Sequence, residues 1–267
     1  MTRVRRVHST DDLRDIAEEF SLPLAFVDRD YVLTTIASQL VDDFGNSLCF
    51  KGGFVLRHAY GLSRLSIDLD ATRLSPPREP LEAEEVRSSI RKSARGSLFT
   101  LRVQEPETDS PKSLDFSAIR YRGLATNPGE VAVEVSYREA VILDPHVAMI
   151  GLPYYDPFPL PVLQPQEFAA EKLRTLAQRR RPTDLADLAF ILSSGLASAE
   201  SIAPIVPPKF AKGLVKPGNP SNRIKDAIED FARSYDETVP DLAPGAMPYG
   251  EARALVMANL DRCLAAL

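Results

Sequence analysis

The stretch from Lys51 to Asp70, KGGFVLRHAYGLSRLSIDLD, carries the clearest structural pattern in this sequence. From Arg64 onward, polar and hydrophobic residues alternate up to Asp70. This two-residue period predicts a strand with one apolar face and one polar face. Ser66, Asp68 and Asp70 then lie on the polar face, with the two aspartates about 7 Å apart along the strand.

Two carboxylates held side by side repel each other unless a cation lies between them. Hard divalent cations such as Mg²⁺ or Mn²⁺ prefer such oxygen ligands, and they bind triphosphate oxygens at the same time. We therefore predict that Asp68 and Asp70 are metal ligands in a protein that uses a nucleoside triphosphate. The alternative is that they are two ordinary acids on a solvated strand, because an Asp-x-Asp motif is common.

The residues just upstream favour the metal-site interpretation. Ser47–Lys51 predicts a short strand and Phe54–Tyr60 a short helix, so Gly52 and Gly53 lie where the strand meets the helix. Backbone amides at the start of a helix bind phosphate without needing a side chain. A tight turn without a ligand is the alternative for the two glycines. Together with the aspartates, they predict a phosphate-binding turn next to a metal site.

A third acidic residue lies in a later segment of the same period. Between Glu130 and Tyr137, valines occupy every second position and Glu134 falls on the polar side. If this strand is a neighbour of the one that ends at Asp70, Glu134 completes a three-carboxylate site. The alternative is an exposed acid on an amphipathic strand.

Two charged residues lie within or beside the apolar faces of predicted helices. Lys172 falls within the apolar stripe of the helix Gln166–Arg180, so it either reaches the edge of that stripe or contacts an anion. Asp187 lies on the shoulder of the buried face of the helix Asp184–Ser194. Asp184 itself is explained by the helix dipole, because acids are favoured in the first turn of a helix.

A run of three arginines separates these two predicted helices: Arg179, Arg180 and Arg181. Such a run is most often a solvated helix end. Beside a phosphoryl-transfer site, it becomes a contact for an RNA backbone.

The composition is that of an ordinary globular protein, with 44% hydrophobic and 26% charged residues. A net charge of −5 argues against coating of nucleic acid through global charge but is compatible with a local basic patch. No apolar stretch is long enough to span a bilayer, and the basic N-terminus lacks the apolar run of a secretory signal. We therefore expect a cytoplasmic protein without membrane contact.

Several other classes of site are disfavoured. The two cysteines lie at opposite ends of the chain and the three histidines lack ligand spacing, which argues against a disulfide framework and a zinc site. Neither a P-loop nor a Gly-x-Gly-x-x-Gly motif is found in the sequence.

The predicted elements divide the chain into a mixed αβ domain, residues 1–160, and a helical domain, residues 161–267. The proline-rich stretch Leu152–Pro165 predicts a linker between them, and Pro204–Pro220 predicts a loop. Early helices are predicted from Thr10 and from Asp28 or Asp30, the second ending near Phe44. Strands are predicted over Leu98–Val103, Leu114–Tyr121, Glu130–Tyr137 and Ala140–Leu143. Further helices are predicted over Glu82–Arg95, Gln166–Arg180, Asp184–Ser194, Arg223–Ser234 and Tyr249–Ala265.

Two motifs together resemble a known family. The first lies in Lys51–Asp70 and combines KGG with RxSxDLD; the second lies in Glu171–Leu188 and combines EKL with RRRPTDLADL. In order and setting they are similar to the signature of the AbiEii/MenT-type nucleotidyltransferase toxins. These are type IV toxin–antitoxin proteins within the polymerase-beta-like nucleotidyltransferase superfamily. The similarity covers roughly residues 28–195.

The resemblance implies an α+β fold: a minimal nucleotidyltransferase fold, with a mixed sheet and flanking helices, followed by a helical C-terminal part. It implies that Asp68 and Asp70 hold Mg²⁺. It also implies that Lys172 binds the nucleotide phosphates and that Asp187 is the acid of the last motif, so that the helical domain contributes to the active site. One departure is Phe54, where the superfamily usually has a small hydroxyl residue that contacts phosphate, so backbone amides must replace that contact.

Members of the family act on tRNA acceptor ends and are restrained by an antitoxin protein. We therefore predict a toxin that transfers a nucleoside monophosphate, with a pyrimidine as the expected base, to the 3′ end of tRNA and so blocks aminoacylation. The expected partners are the tRNA acceptor stem and a cognate antitoxin. Lys51, Arg64 and Lys172 would neutralise the pyrophosphate. Ser66 shares a strand face with Asp68, so a phosphate on Ser66 would compete with the triphosphate and control the enzyme.

Two alternatives remain open. In the first, the acceptor is a protein side chain or a small molecule; the arginine run favours RNA over these. In the second, the fold is a catalytically inactive binding module. The presence of both Asp68 and Asp70, together with Lys172 and Asp187, argues against an inactive protein.

Overall fold

The computed structural model describes residues 9–74, 81–109, 112–124, 127–138, 140–151, 157–212 and 219–267. The chain separates into two compact units. The first unit contains Met1–Gly61, Leu65–Arg138 and His146–Val162. The second unit contains Leu62–Arg64, Glu139–Pro145 and Leu163–Leu267.

The first unit holds four α-helices, one short 3-10 helix (Gly45–Ser47) and eight strands among its described residues. The helices are α1 (Thr10–Glu19), α2 (Leu24–Phe44), α3 (Gly52–His58) and α4 (Ala83–Ser93). The strands are β1 (Leu48–Lys51), β2 (Asp68–Arg73), β3 (Thr100–Arg102), β4 (Glu107–Asp109), β5 (Ser113–Arg122), β6 (Gly129–Ser136), β7 (His146–Ile150) and β8 (Phe158–Val162).

The strands form one mixed sheet in the order β3-β5-β6-β2-β1-β8-β7, with β4 also paired to β5. The β2–β6 and β1–β8 pairs are parallel, and the other pairs are antiparallel. Together with the helices that follow in the second unit, this sheet confirms the α+β fold class predicted from the sequence.

The two central strands bury one face and leave the other polar. On β2, Leu69 and Ala71 are buried, and on β6 the valines at alternate positions are buried as well. Helix α2 contacts both strands and contributes buried side chains such as Leu33 and Ile36. The opposite face of β2 carries Asp68 and Asp70.

The strand β2 begins at Asp68 and not at Arg64 as predicted. The alternation ahead of Asp68 does not belong to a strand, because Ile67 is 52% exposed while Ser66 is buried. The Ser66 hydroxyl donates a hydrogen bond of 2.9 Å to the backbone carbonyl of Asp68, which closes a local turn. The two aspartates still share one face.

The helix α2 begins at Leu24, ahead of the predicted start at Asp28 or Asp30. Both aspartates are buried, so they do not serve as solvent-facing caps. Pro23 occupies the N-cap position, with extended backbone angles that suit a proline.

The predicted linker Leu152–Pro165 is wrong over its second half, because β8 runs from Phe158 to Val162 and pairs with β1 and β7. Pro159 and Pro161 occupy alternate positions of β8, so their missing N–H groups face the same edge of the strand. The strand keeps its backbone donors toward its other edge. Residues 152–156 of the predicted linker lie outside the described residues.

The second unit is helical throughout its regular described structure. Its helices are α5 (Pro165–Gln178), α6 (Pro182–Ser193), α7 (Ala199–Ile202), α8 (Val206–Lys212), α9 (Pro220–Asp230), α10 (Tyr235–Leu242) and α11 (Tyr249–Cys263). Both α5 and α6 start with proline, which suits the first helical position. Across the part of the chain that the structure describes, every helix is too short or too polar to cross a membrane.

Two predictions for this part of the chain are wrong. The predicted loop Pro204–Pro220 contains α8, whose residues Val206 and Phe210 are buried. Residues 213–218 of that stretch lie outside the described residues. The predicted strand Ala140–Leu143 has no strand partner, because its backbone is used by side chains of the second unit.

A buried ion cluster fixes residues 140–143. The Glu167 carboxylate accepts hydrogen bonds from the amides of Ile142 (2.8 Å) and Leu143 (2.9 Å). The Lys209 ammonium lies 2.6 Å from Glu167 and 2.7 Å from Glu171, and it also donates to a backbone carbonyl of this segment. Because all three side chains are buried, each charge depends on the others for compensation.

The first prediction concerns this cluster. Lys209→Met leaves two buried carboxylates facing each other, so we expect the free energy of unfolding to fall by about 3–5 kcal/mol. Lys225→Met is the matched control, because Lys225 is partly exposed and pairs with the exposed Asp261 at 3.3 Å; its change should stay below about 1 kcal/mol. Denaturant unfolding measures both variants. Equal midpoints would show that the cluster contributes no more than a surface pair.

Candidate active site

Strand pairing in the first unit arranges charged residues in one row across the sheet. Lys51 on β1 pairs with Asp70 on β2, and Asp70 pairs with Glu134 on β6. Glu134 in turn pairs with Asp115 on β5. Paired residues share a face of the sheet, and Asp68 lies on that face two positions from Asp70. The structure therefore makes β6 a neighbour of β2, which was the condition for placing Glu134 near the two aspartates, and it adds Lys51 to the same row.

Gly52 lies directly against Asp70. Its φ of +75° is in the left-handed region, and a Cβ atom at this position would meet the Asp70 carboxylate. Only glycine allows both the turn and this close approach. Gly52 and Gly53 open helix α3, so bare backbone lies beside the acidic row, and phosphate binding at this turn stays a prediction.

Ser66 and Asp68 form a local pair. The Ser66 hydroxyl is buried and lies 3.4 Å from the Asp68 Oδ1 atom, in addition to its bond to the Asp68 carbonyl. The serine therefore orients the segment that presents Asp68. A phosphate on Ser66 requires this hydroxyl to leave its buried position first.

The donor set suits a cation that is shared with a substrate. Within the described part of the chain, no three His, Cys, Asp or Glu side chains are grouped closely enough to hold a metal ion. Glu134 is thus not gathered with Asp68 and Asp70 into a ready three-carboxylate site, and its Oε1 lies 3.7 Å from an Arg138 nitrogen. Mg²⁺ is commonly bound by one or two carboxylates plus substrate phosphates, which Asp68 and Asp70 fit.

Asp115 is the residue of this row that the sequence interpretation missed. It is half-buried beside Glu134, between the buried residues Leu114 and Phe116. The alternation around Asp115 was visible in the predicted strand Leu114–Tyr121. What the sequence did not show was which strand β5 pairs with, and therefore that Asp115 joins the acidic row.

The second unit contains a separate network around Lys172. The Lys172 ammonium lies 2.9 Å from Asp184 and 2.7 Å from Asp187, and all three side chains are buried. Arg64 also pairs with Asp187, and the Arg179 Nε atom lies 3.1 Å from Asp184. The structure therefore joins three of the predicted site residues, Arg64, Lys172 and Asp187, and adds Asp184 to them.

These contacts determine the charge states of the buried groups. Burial lowers the pKa of Lys172, but the carboxylates of Asp184 and Asp187 raise it by more, so that it stands above its usual value. Burial raises the pKa of Asp184, but Lys172 and Arg179 bring it well below its ordinary range. Asp184 is therefore a buried, ion-paired residue, and the helix dipole does not account for it. The Oδ1 atom of Asp187 is buried without a hydrogen-bond partner among the described residues.

The arginine run is divided among different contacts. Arg179 pairs with Asp184, Arg180 pairs with Asp230, and Arg181 is the exposed N-cap residue of α6. The three guanidinium groups are all exposed to some degree, but two of them are engaged by carboxylates. They do not form one undivided basic cluster.

A sheet that presents two aspartates beside a glycine turn, followed by a helical unit, defines a nucleotidyltransferase-like protein. The family described as nucleotidyl transferase AbiEii toxin, type IV TA (toxin–antitoxin) system, matches residues 38–262. Because the match spans most of the chain, the protein belongs to this family. Membership confirms the family predicted from the two motifs, and it implies a nucleoside triphosphate substrate, a divalent metal and an antitoxin partner.

Solved structures share the fold. MenT4, a nucleotidyltransferase toxin from Mycobacterium tuberculosis H37Rv, superposes with a TM-score of 0.72 at 21% identity, covering 97% of this chain and 90% of that chain. JHP933 from Helicobacter pylori superposes with a TM-score of 0.58 at 16% identity, covering 90% of this chain and 92% of that chain. A search of curated proteins finds no match to this sequence.

The second prediction concerns Gly52. Gly52→Ala forces the Asp70 carboxylate to move, and a displacement of about 1 Å in a catalytic group costs on the order of 100-fold in rate. Gly61→Ala is the matched control, because Gly61 has φ +81° and open space around its Cβ position. Both variants carry the same backbone strain of about 1 kcal/mol, so both should unfold at a somewhat lower denaturant concentration than wild type. Nucleotidyl transfer should be lost in Gly52→Ala alone; equal activity of the two variants would contradict the contact.

The third prediction is a pH dependence at Asp184. A carboxyl with a lowered folded pKa stabilises the fold above its unfolded pKa, and that contribution is lost as the pH falls through the folded value. Asp184→Asn should therefore cost about 3 kcal/mol of unfolding free energy at pH 7 and progressively less below about pH 4. Denaturant unfolding across this range measures the difference. Asp261→Asn, an exposed control, should show little change, and a pH-independent difference for Asp184→Asn would refute the assignment.

Proposed function

We propose that this protein transfers a nucleoside monophosphate from a nucleoside triphosphate to the 3′-terminal hydroxyl of tRNA, and that it acts as a growth-arresting toxin in the cytoplasm. The observation that carries the proposal is the placement of Gly52 against Asp70, with Asp68 on the same sheet face. A glycine turn at the start of a helix and two carboxylates thereby lie side by side, and this arrangement supports binding of a metal–triphosphate substrate.

The first unit supplies the residues for the triphosphate. The backbone amides of Gly52 and Gly53 bind phosphate oxygens, and the Lys51 side chain adds a positive charge to the same row. Asp68 and Asp70 would hold Mg²⁺ or Mn²⁺, which when bound neutralises the triphosphate and lowers the pKa of the attacking hydroxyl. The acceptor oxygen attacks the α-phosphorus in line, the bond to the bridging oxygen breaks, and pyrophosphate leaves.

The other carboxylates of the row have a different role. Glu134 is paired with Arg138 at 3.7 Å and remains partly exposed, so it is available to accept a proton from the acceptor hydroxyl. Asp115 lies next to Glu134 and raises the local negative charge. This charge favours binding of cations.

In the second unit, we assign Arg64 and Lys172 to neutralising the departing pyrophosphate. Asp184 and Asp187 are positioning residues in this proposal, because they hold the two cations in a buried network. Arg180 and Arg181 are exposed, and we assign them to contacts with the RNA backbone. The partner that restrains the toxin is an antitoxin protein.

The fourth prediction tests this function. Total RNA is incubated with each labelled nucleoside triphosphate in turn, with wild-type protein, Asp68→Asn and Asp70→Asn. We expect one triphosphate to label tRNA, and each variant to lose on the order of 100-fold or more in rate while remaining folded. Asp11→Asn is the matched control, since Asp11 is exposed on α1 and its ion pair among the described residues is a local one with Arg14.

Three outcomes would count against the proposal. Equal labelling by Asp68→Asn would remove the metal assignment. Equal labelling of tRNA whose 3′ hydroxyl has been blocked would remove the acceptor assignment. Labelling confined to protein would replace the RNA acceptor by a protein side chain.

A further inference from the structure

The edge of the sheet in the first unit carries an unusual arginine pairing. Strand β3 lies at the edge and pairs antiparallel with β5, so that Arg102 is directly opposite Arg120 and Thr100 is opposite Arg122. All three arginines are exposed. Like charges directly opposite each other on neighbouring strands destabilise a sheet. An arrangement of this kind is relieved when an anion binds between the guanidinium groups.

The same arginines line a groove of 750 Å³. Arg29 from α2 joins them, and its side chain hydrogen-bonds that of Tyr121. Glu130 is the single acid among the lining residues, and it pairs with Arg120 at 2.9 Å. The complete lining is Arg29, Thr100, Leu101, Arg102, Arg120, Tyr121, Arg122, Pro128, Gly129 and Glu130. Four arginines and one glutamate give this groove a charge of +3, whereas the whole chain has a charge of −5.

A β-bulge places three arginines of this groove on the same face of the sheet as the acidic row. Phe116 pairs with Val133 and Ile119 pairs with Val131, so β5 has one more residue than β6 over this interval. Without the extra residue, Asp115 and Arg120 would face opposite sides, since they are an odd number of positions apart. With it, both pair with residues on one face of β6. Arg102, Arg120 and Arg122 therefore share a face with Asp70 and its row, whereas Arg29 reaches the groove from α2 on the opposite face.

We propose that this arginine groove binds the sugar–phosphate backbone of the acceptor RNA, upstream of the end that reacts. The proposal rests on the function proposed above. Arg120 pairs with Glu130, and Asp115 pairs with Glu134. Four residues along β6 therefore separate the arginines of the groove from the acidic row, a distance of about 14 Å. At about 3.4 Å of rise per nucleotide, the groove reaches phosphates some four nucleotides from the reacting hydroxyl.

The chemistry of the groove fits phosphodiesters. Each guanidinium presents parallel N–H donors that match two oxygens of one phosphate. The in-register pair places the Cα atoms of Arg102 and Arg120 about 5 Å apart, so that two such groups leave neighbouring strands side by side. The described residues offer no carboxylate partner for Arg102 or Arg122, in contrast to Arg120. An acidic polypeptide is the competing ligand and is distinguished by the experiment below.

The test is equilibrium binding of tRNA to the full chain across a range of salt, without nucleoside triphosphate. The variant Arg102→Gln/Arg120→Gln/Arg122→Gln should bind at least 10-fold more weakly at low salt, and the slope of log affinity against log salt should fall by about 2–3. The matched control changes three exposed, ion-paired arginines elsewhere: Arg14→Gln/Arg253→Gln/Arg262→Gln. The control should keep the wild-type slope.

A second variant should change tRNA affinity in the opposite direction. Glu130→Gln removes the acid that pairs with Arg120, so it should bind tRNA several-fold more tightly and with a steeper salt dependence. In transfer assays, the ratio of activity on tRNA to activity on a trinucleotide should fall in the triple variant. A trinucleotide is too short to reach from the acidic row to the arginine groove. The Glu130→Gln variant keeps the proposal testable even if the triple variant folds poorly.

Wild-type affinity and slope in the triple variant, or unchanged tRNA affinity in Glu130→Gln, would overturn the groove assignment. The proposed transferase function would still stand, because it is measured separately. Loss of polyglutamate binding with unchanged tRNA binding would assign the groove to an acidic protein and would also overturn it. If wild-type protein binds tRNA through the groove but transfers no nucleotide, the proposed function fails and the groove stands.

Discussion

Leu69 and Ala71 on β2, and the alternating valines on β6, are buried against helices on one face of the sheet, and the position of the acidic row depends on that burial. Because side chains alternate between faces, a slip of one residue would bury Asp70 and Glu134 and expose their apolar neighbours. Burying ionised carboxylates without partners costs several kcal/mol, so the apolar face holds the register. The carboxylates are thereby aligned by residues that take no part in the chemistry.

The second unit solves a different problem, because it keeps its charges in the interior. Asp184 and Asp187 are each 1% exposed, and both depend on Lys172 for compensation. Arg64 and Arg179 add further positive charge, so two carboxylates face three cations. Removal of any one member would leave an uncompensated buried charge and would strongly lower the free energy of unfolding. The intact network adds little net stability, so its main effect is to fix the positions of its side chains.

Local periodicity explains which features could be predicted from the sequence. The alternation around Asp68, Asp70 and Glu134 is a property of neighbouring residues, and the helices α5, α6 and α11 follow from periodic apolar stripes. The role of Asp184 could not be predicted in this way, since its partner Lys172 lies on another helix. The strand β8 was missed because its two prolines resemble a linker until the pairing of the strand is known.

The bulge in β5 shows how one residue can combine two electrostatic surfaces on a single strand. The row formed by Asp70, Glu134 and Asp115 would repel the phosphates of an approaching polyanion wherever its charge is not compensated. Arginines on the same face, farther along β5 and on β3, supply attraction at the sheet edge. The face then has an acidic region that favours cations and a basic region that favours phosphodiesters. Segregation of this kind lets a chain with net negative charge hold RNA, because charge density at the contact matters more than the overall sum.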